Sequence, residues 1–313
     1  MTGTGTGMTD MGATDTRCGF VTLIGAPNAG KSTLMNQLVG TKVSIVSAKV
    51  QTTRARITGI LSDPTSQIIF IDTPGVFTGP KRKLEKTMVE AAWEEVQGGD
   101  VKLVLVDAAK KGAEDQNDLL ERLKAEGGSG PVALVLNKTD LIAPAKLLPL
   151  SQALNAAFDF AATFMISALT AKGLAGLSTW VKAAIPLGPF LYPPDQISEL
   201  PERHLAAEIT REKLFGALHQ ELPYNLTVET QSWKETQTGV RIEQTIYVSR
   251  VSHKAMVLGK GGALIRRLGQ AAREELSSLL DMPVHLFLFV KVRENWLKDP
   301  ARYRAMGLTY RRD

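Results

Sequence analysis

Cysteine is nearly absent: Cys18 is the single one among 313 residues. A lone thiol closes no internal disulfide, so the usage points inside the cell and the fold relies on its core. Cys18 sits at the start of an apolar stretch and reads as a small core residue rather than a reactive thiol. Long hydrophobic runs are missing too, since none reaches the roughly 18 residues that a membrane-crossing helix needs. Met1 to Thr16 carry Thr and Gly with neither a basic start nor an apolar centre. That excludes a signal peptide, and residues 1–16 read as a flexible leader.

What is present is an ordinary apolar share of 44% with 22% charged residues, the composition of a soluble globular protein. The length exceeds one typical core and predicts two domains. Charge is unevenly spread. Residues 1–200 hold 19 basic and 19 acidic side chains, whereas residues 201–313 hold 18 and 13, the whole net excess of +5. A neutral front and a basic back assign any polyanion other than a nucleotide to the back.

The chain divides where prolines cluster: Pro186, Pro189, Pro193, Pro194 and Pro201. Neither a helix nor a central strand survives such spacing, so residues 186–201 read as a linker. Before it, Phe20–Gly25, Ile68–Asp72, Leu103–Asp107, Val132–Asn137 and Thr163–Ser167 read as strands apolar throughout. Leu84–Val96, Asp115–Lys124 and Leu147–Phe158 read as helices between them. The alternation predicts, for 17–185, an α/β domain with a mostly parallel sheet and helices on both faces. After the linker, helices over Glu202–Gln220 and Gly262–Leu280 accompany strands over Leu226–Trp233, Val240–Ser249 and Val284–Val292. Residues 202–296 thus read as a small α+β domain with adjacent strands rather than βαβ crossovers, and 297–313 as a basic tail.

Gly25-Ala26-Pro27-Asn28-Ala29-Gly30-Lys31-Ser32-Thr33 follows a strand, opens a helix and fits the P-loop pattern. Glycines let successive N–H groups and the helix N-terminus face phosphate. Lys31 brings a point charge to the β and γ phosphates, and the Ser32 hydroxyl is a Mg²⁺ ligand. Asp72-Thr73-Pro74-Gly75 ends the next predicted strand, where Asp72 reaches Mg²⁺ through water and the Gly75 N–H senses a γ-phosphate. Asn137-Lys138-Thr139-Asp140 ends another strand. Guanine presents N1–H and 2-amino donors side by side, which one Asp140 carboxylate accepts and adenine cannot match. Ser167-Ala168 supplies backbone for the guanine O6. Between the P-loop and Asp72, Gln51-Thr52-Thr53-Arg54 holds the mobile Thr that closes on Mg²⁺. Thr53 is the choice by alignment with related families and Thr52 the alternative. Arg54 and Arg56 read as solvated loop arginines. Together these elements resemble a P-loop GTPase of the translation-factor class, with Lys31, Thr53 and Gly75 as its catalytic groups.

Arg250 to Arg273 contains Arg250, Lys254, Lys260, Arg266, Arg267 and Arg273 and no acidic residue. Inside it, Gly259-Lys260-Gly261-Gly262 is a G-x-x-G loop of the kind that brings backbone close to nucleic acid. The apolar Val257-Leu258 precedes it, and the flanking Met256, Val257, Leu264 and Ile265 read as an apolar floor for unstacked bases. Helix, strand, strand, helix, G-x-x-G, helix, strand is the order of a type II KH domain, which favours RNA over a solvated basic face.

A GTPase followed by KH, together with Glu221-Leu222-Pro223-Tyr224 and Pro283-Val284-His285-Leu286, resembles the Era family of bacterial ribosome-assembly GTPases. The likeness runs from about Gly19 to Trp296. It implies a cytoplasmic, monomeric protein that binds the 3′ end of small-subunit ribosomal RNA during subunit maturation. It also implies peripheral contact with the inner face of the inner membrane. Similar GTPases with Asn at the position of Asn28 seat a K⁺ ion there, and either such an ion or a bound partner is expected to assist hydrolysis. Val76 stands where small signalling GTPases place a water-orienting Gln, which predicts slow intrinsic hydrolysis.

Overall fold

The computed structural model describes residues 16–47, 49, 51–54, 56–75, 83–110, 114–294, 296, 299 and 300; residues 1–15 of the expected leader, Val76 and nearly all of 297–313 lie outside the described residues. The first unit runs β1 (Arg17–Gly25), α1 (Lys31–Val39), β2 (Ile57–Ser62), β3 (Ser66–Asp72), α2 (Lys83–Gly98), β4 (Val101–Asp107) and α3 (Glu114–Glu126). It continues through β5 (Val132–Asn137), α4 (Pro144–Ala157), β6 (Ala162–Met165) and α5 (Leu174–Ala184). The sheet order is β2-β3-β1-β4-β5-β6, and every pairing is parallel except β2 with β3.

Alternation along the buried strands feeds two cores. Leu23, Phe70, Leu103 and Val135 face α1 and α5 through Leu34, Leu177 and Val181. Ile24, Val104, Leu134 and Leu136 face the other way, onto Val89 and Trp93 of α2, Leu120 and Leu123 of α3 and Leu154 of α4. Parallel neighbours end on one rim. Register sets Leu23 beside Asp72 and Asp107 beside Asn137, so the C-terminal ends of the motif-bearing strands are level.

The antiparallel strand β2 and the helix α5 are additions to the predicted elements. Asp63 turns β2 into β3 by accepting the Thr65 and Ser66 N–H groups at 2.9 and 2.8 Å. The proline-rich stretch forms no helix or strand. It runs along the edge of that hairpin, where Gln67 Oε1 accepts the Leu191 and Tyr192 N–H groups at 2.8 and 3.0 Å and Ile60 N–H donates to the Ile197 carbonyl at 2.9 Å. An edge covered in this way is closed to pairing with other chains.

The second unit runs α6 (Glu202–Ala217), β7 (Leu226–Thr236), β8 (Gly239–Val248), α7 (Val251–Leu258), α8 (Ala263–Leu280) and β9 (Val284–Val292). Its sheet order is β7-β8-β9. β7 and β8 form an antiparallel hairpin, but β8 and β9 are parallel, which corrects the expectation of adjacent strands without a crossover. Periodicity marks both strands yet carries no sign of their relative direction. The two helices between them supply the length a parallel return requires.

Candidate functional site

The P-loop wraps where glycine and asparagine allow. Gly25, Asn28 and Gly30 have φ of 154°, 65° and 100°, conformations that suit Gly and are tolerated by Asn. A side chain at Gly25 would stand 2.4 Å from the Leu105 carbonyl oxygen, so β1 and β4 also demand glycine there. Lys31 opens α1 and turns back into the loop, donating to the Gly25 and Ala26 carbonyls at 3.0 and 3.2 Å. Burial pulls its pKa down to about 8, against the attraction of Asp72. Burial likewise pushes the Asp72 carboxyl up, opposed by Lys31 and by three hydroxyl donors.

Those hydroxyls converge on one oxygen. Ser32 Oγ donates to Asp72 Oδ2 at 2.6 Å, and Thr53 Oγ1 and Ser44 Oγ each lie 3.1 Å from it. Ser32 and Thr53 hydroxyls are 3.1 Å apart. Thr52 is elsewhere: its hydroxyl donates to the Lys49 carbonyl at 2.6 Å. Adjacent ligands of octahedral Mg²⁺ stand about 2.9 Å apart, given bonds of about 2.0–2.1 Å. The Ser32–Thr53 separation is close to that edge. Asp72 Oδ1 is buried with no hydrogen-bond partner among the described residues. Hard oxygen donors at this spacing, beside an unspent carboxylate oxygen, fit Mg²⁺.

A cavity of about 850 Å³ runs from Lys31, Thr53 and Gly75 to Asp140, Ala168 and Leu169. Gly75 lies so close to Pro27 that a Cβ would meet its backbone nitrogen at 2.8 Å. The Thr73 hydroxyl points away, donating to the Leu23 carbonyl at 2.8 Å, so only backbone of Thr73 is available to a ligand. At the far end Asp140 is exposed, while Lys138 has φ 62° and an ion pair with Asp107 at 2.7 Å. Asn137 is buried and spends its amide on protein. Nδ2 donates to the Ala29 carbonyl at 2.8 Å, and Oδ1 accepts the Ala168 N–H at 2.9 Å. It thereby ties the phosphate loop to the Ser167-Ala168 loop.

In the second unit Gly259, Gly261 and Gly262 have φ of 71°, 58° and 76°. They turn α7 into α8 with Lys260, Gly261, Arg266 and Arg267 exposed. Lys254, Leu258 and Ile265 are half-buried beside them. Val257 is different: it is fully buried in the core with Leu268 and Ile246. Its helical position turns it inward, which removes it from the predicted base floor. Of the other predicted floor residues Met256 is exposed and Leu264 half-buried, and Val251 at the start of α7 is exposed as well.

Arg54 also departs from expectation. It is 3% exposed, and it donates to the Leu226 and Pro223 carbonyls at 2.9 and 3.3 Å across the junction of the two units. Arg56 pairs with Glu95 and Glu199 at 3.0 and 3.1 Å. Ser44, Leu169 and the α6 residues Glu208, Arg211 and Glu212 near the Thr53 segment belong to no sequence motif.

Two family descriptions match the chain: a 50S ribosome-binding GTPase over residues 20–138 and a KH domain over residues 221–297. The chain is 55% identical over 296 residues to the GTPase Era of Afipia carboxidovorans, covering 94% of this chain and 95% of that one. It is 55% identical over 299 residues to the GTPase Era of Brucella suis, covering 95% of each. Among solved structures, Era with MgGDPNP and nucleotides 1506–1542 of 16S ribosomal RNA superposes with a TM-score of 0.88 at 37% identity, over 94% of this chain and 100% of that one. Aquifex aeolicus Era bound to GDP and aluminium fluoride gives 0.87 at 36% identity, with the same coverage.

Proposed function

The chain belongs to the Era family of GTPases, and we propose that it is a GTP-hydrolysing switch that holds the 3′ end of small-subunit ribosomal RNA and assists maturation of that subunit. The observation that carries the switch is the Thr53 hydroxyl, 3.1 Å from both Ser32 and Asp72. It stands where a γ-phosphate-dependent loop has to close.

The residues divide the work. Lys31 exchanges two neutral carbonyl acceptors for anionic phosphate oxygens, which adds ion-pair attraction to its hydrogen bonds. Backbone N–H groups of residues 28–33 face the same phosphates from the start of α1. Ser32, Thr53 and Asp72 would hold Mg²⁺. When bound, the ion would supply positive charge against the negative charge that develops on the phosphates in transfer. Gly75 brings a backbone N–H to the γ-phosphate because its missing Cβ lets it rest on Pro27. Asp140 accepts the two guanine donors, while Asn137, holding Ala29 and Ala168, fixes the distance between phosphate and base subsites.

In the KH unit the exposed Lys260, Gly261, Arg266 and Arg267 meet the RNA backbone, and Lys254, Gly259, Gly262, Leu258 and Ile265 line the approach. The finer parts of this reading rest on sequence resemblance. They are slow intrinsic hydrolysis because Val76 cannot orient a water, help from a K⁺ ion at Asn28 or from a bound partner, a monomeric state, and peripheral contact of the basic face with the inner membrane.

The test is fluorescence binding of an RNA oligonucleotide matching the small-subunit 3′ end, with GTP analogue or GDP, for wild type and Gly261→Asp. A Cβ at Gly261 meets no neighbour within 4 Å, and Asp tolerates φ near 58° better than most side chains. The variant therefore probes phosphate approach rather than folding. Tight binding that needs both the analogue and the intact loop is expected. Equal affinity with analogue and GDP would remove the switch, and an unaffected variant would move the RNA off the loop.

A further inference from the structure

The segment carrying Thr53 is gripped from behind by the first helix of the KH unit. Arg211 of α6 is 1% exposed, a depth at which a guanidinium needs acceptors for its fork. Its Nε donates to Glu208 Oε1 at 2.7 Å and its Nη2 to Glu208 Oε2. The remaining donors turn to backbone: Nη1 to the Gln51 carbonyl at 3.4 Å, and Nη2 to the Thr52 carbonyl. Those are the two residues immediately before Thr53. Gln51 has φ 59°, a left-handed conformation that costs a non-glycine residue energy and persists only where its surroundings enforce it.

The grip is reciprocal and extends over the whole segment. Arg54 reaches back to the Pro223 and Leu226 carbonyls, and both guanidinium groups lie over the Phe215 ring, at 4.8 Å for Arg211 and 5.7 Å for Arg54. Glu212, next along α6, accepts the Val46 N–H at 2.7 Å and the Lys42 ammonium at 2.6 Å. Lys49 donates to the Phe215 and Leu218 carbonyls at the C-terminal end of the same helix, where a cation also meets the negative end of the helix dipole. Residues 51, 52 and 54 are therefore bound to the KH unit, and Thr53 between them faces Ser32 and Asp72. Burial alone would push the Glu208 carboxyl up; Arg211 more than offsets it and holds the group below the usual carboxylate range. Glu208 is thus an ionised partner that fixes the fork.

We propose that Arg211, oriented by Glu208, is a positioning residue for the Mg²⁺ site: by holding the Gln51 and Thr52 carbonyls it keeps the Thr53 hydroxyl beside Ser32 and Asp72. The KH unit thereby favours bound GTP over bound GDP in the same chain. This deepens the proposed function and rests on its reading that Thr53 joins Mg²⁺ only with a γ-phosphate. Linkage follows. By whatever factor RNA, in selecting the gripped arrangement, raises the preference for GTP over GDP, GTP raises the affinity for RNA over that of the GDP form.

The experiment uses the full chain. Affinities for a non-hydrolysable GTP analogue and for GDP, at saturating and limiting Mg²⁺, are measured for wild type, Arg211→Ala, Arg211→Lys and Glu208→Gln. Loss of charge-assisted bonds to the two carbonyls is expected to weaken the analogue by about ten- to a hundredfold in Arg211→Ala and leave GDP within about twofold. Arg211→Lys, which keeps the charge but not the fork, is expected to fall between, and serves alone if thermal unfolding shows Arg211→Ala to be unfolded. The ratio of RNA affinities in the two nucleotide states should shrink in step. A merely structural role would weaken both nucleotides alike or neither, and either result overturns the proposal. If wild type itself binds analogue and GDP with the same Mg²⁺ dependence, the Thr53 reading fails instead, and the proposal falls with it.

Discussion

Removing the Asn137 amide, by Asn137→Ala, is expected to loosen both ends of the nucleotide cavity at once. Asn137 is 2% exposed, and the groups it serves, on Ala29 and Ala168, belong to residues each 1% exposed. The substitution leaves the Ala29 carbonyl and the Ala168 N–H without their present partner, each at about 1–3 kcal/mol. A water entering the vacated space recovers part of that. A net loss of about 3 kcal/mol is the expectation, or roughly 6–12 °C in the unfolding midpoint of a unit of this size. Because Asn137 does not approach the γ-phosphate end, GTP and GDP should weaken together, by about ten- to a hundredfold, as the two anchoring loops lose their fixed spacing.

The assay pairs thermal unfolding without nucleotide with fluorescent-nucleotide titrations. Asn137→Asp sharpens it. That side chain still accepts the Ala168 N–H but turns a second oxygen toward the Ala29 carbonyl, 2.8 Å from the present nitrogen. Ionised, it should be at least as destabilising as alanine; protonated, its O–H can donate to the carbonyl. Its deficit should therefore shrink as pH falls through its raised pKa. Loss of nucleotide affinity with an unchanged unfolding midpoint would refute the reasoning, because it would place the Asn137 amide on the guanine itself and not on the loops.

Lys31 gives a pH signature. Its folded pKa of about 8 lies below the ordinary 10.5, so between those values the unfolded chain binds more protons and apo stability rises with pH. Nucleotide affinity moves the opposite way, flat below pH 8 and falling by up to about tenfold per unit above it; pH titrations check this, and Lys31→Arg should abolish the slope. Gly75→Ala places a Cβ 2.8 Å from the Pro27 backbone, and calorimetric titration should find GTP-analogue binding weakened more than GDP binding. Trp296 is 1% exposed and donates to the Asn225 carbonyl and Ser249 Oγ, both at 3.2 Å. Trp296→Ala should destabilise the KH unit by about 3–5 kcal/mol, visible as an early unfolding transition, with nucleotide affinity intact below that transition.

The phosphate half of the site is legible in sequence because its chemistry prescribes residue types at fixed spacing. Only glycine suits the φ of Gly30 and the approach of Gly25 to Leu105, and Lys31 and Ser32 follow at the helix start. Thr53, preferred to Thr52 by alignment of Thr-Arg with related families, has its hydroxyl 3.1 Å from that of Ser32 and from Asp72 Oδ2. Legibility weakens where sequence neighbours point different ways. Asn137 sits in the guanine motif with Lys138 and Asp140, yet its amide serves two protein loops. Val257 borders the G-x-x-G loop but lies on the buried side of a helix only 8 residues long, too short for its period to declare a face.

The junction between the units is illegible in sequence for a deeper reason. Arg54 finds acceptors 169 and 172 residues away, and Arg211 finds its own 159 and 160 residues back. All four acceptors are backbone carbonyls, which every residue possesses and no sequence pattern distinguishes. A charged side chain in a polar segment reads as solvated until the fold supplies its partner. The two carbonyls that Arg211 holds lie in the stretch that ends in Thr53, so one short segment answers to the nucleotide through a side chain and to the KH unit through its backbone. A segment built this way transmits nucleotide state without a motif of its own. Motif residues can therefore be identical in two such chains while the coupling between their sites differs, according to whether a buried cation faces residues 51 and 52.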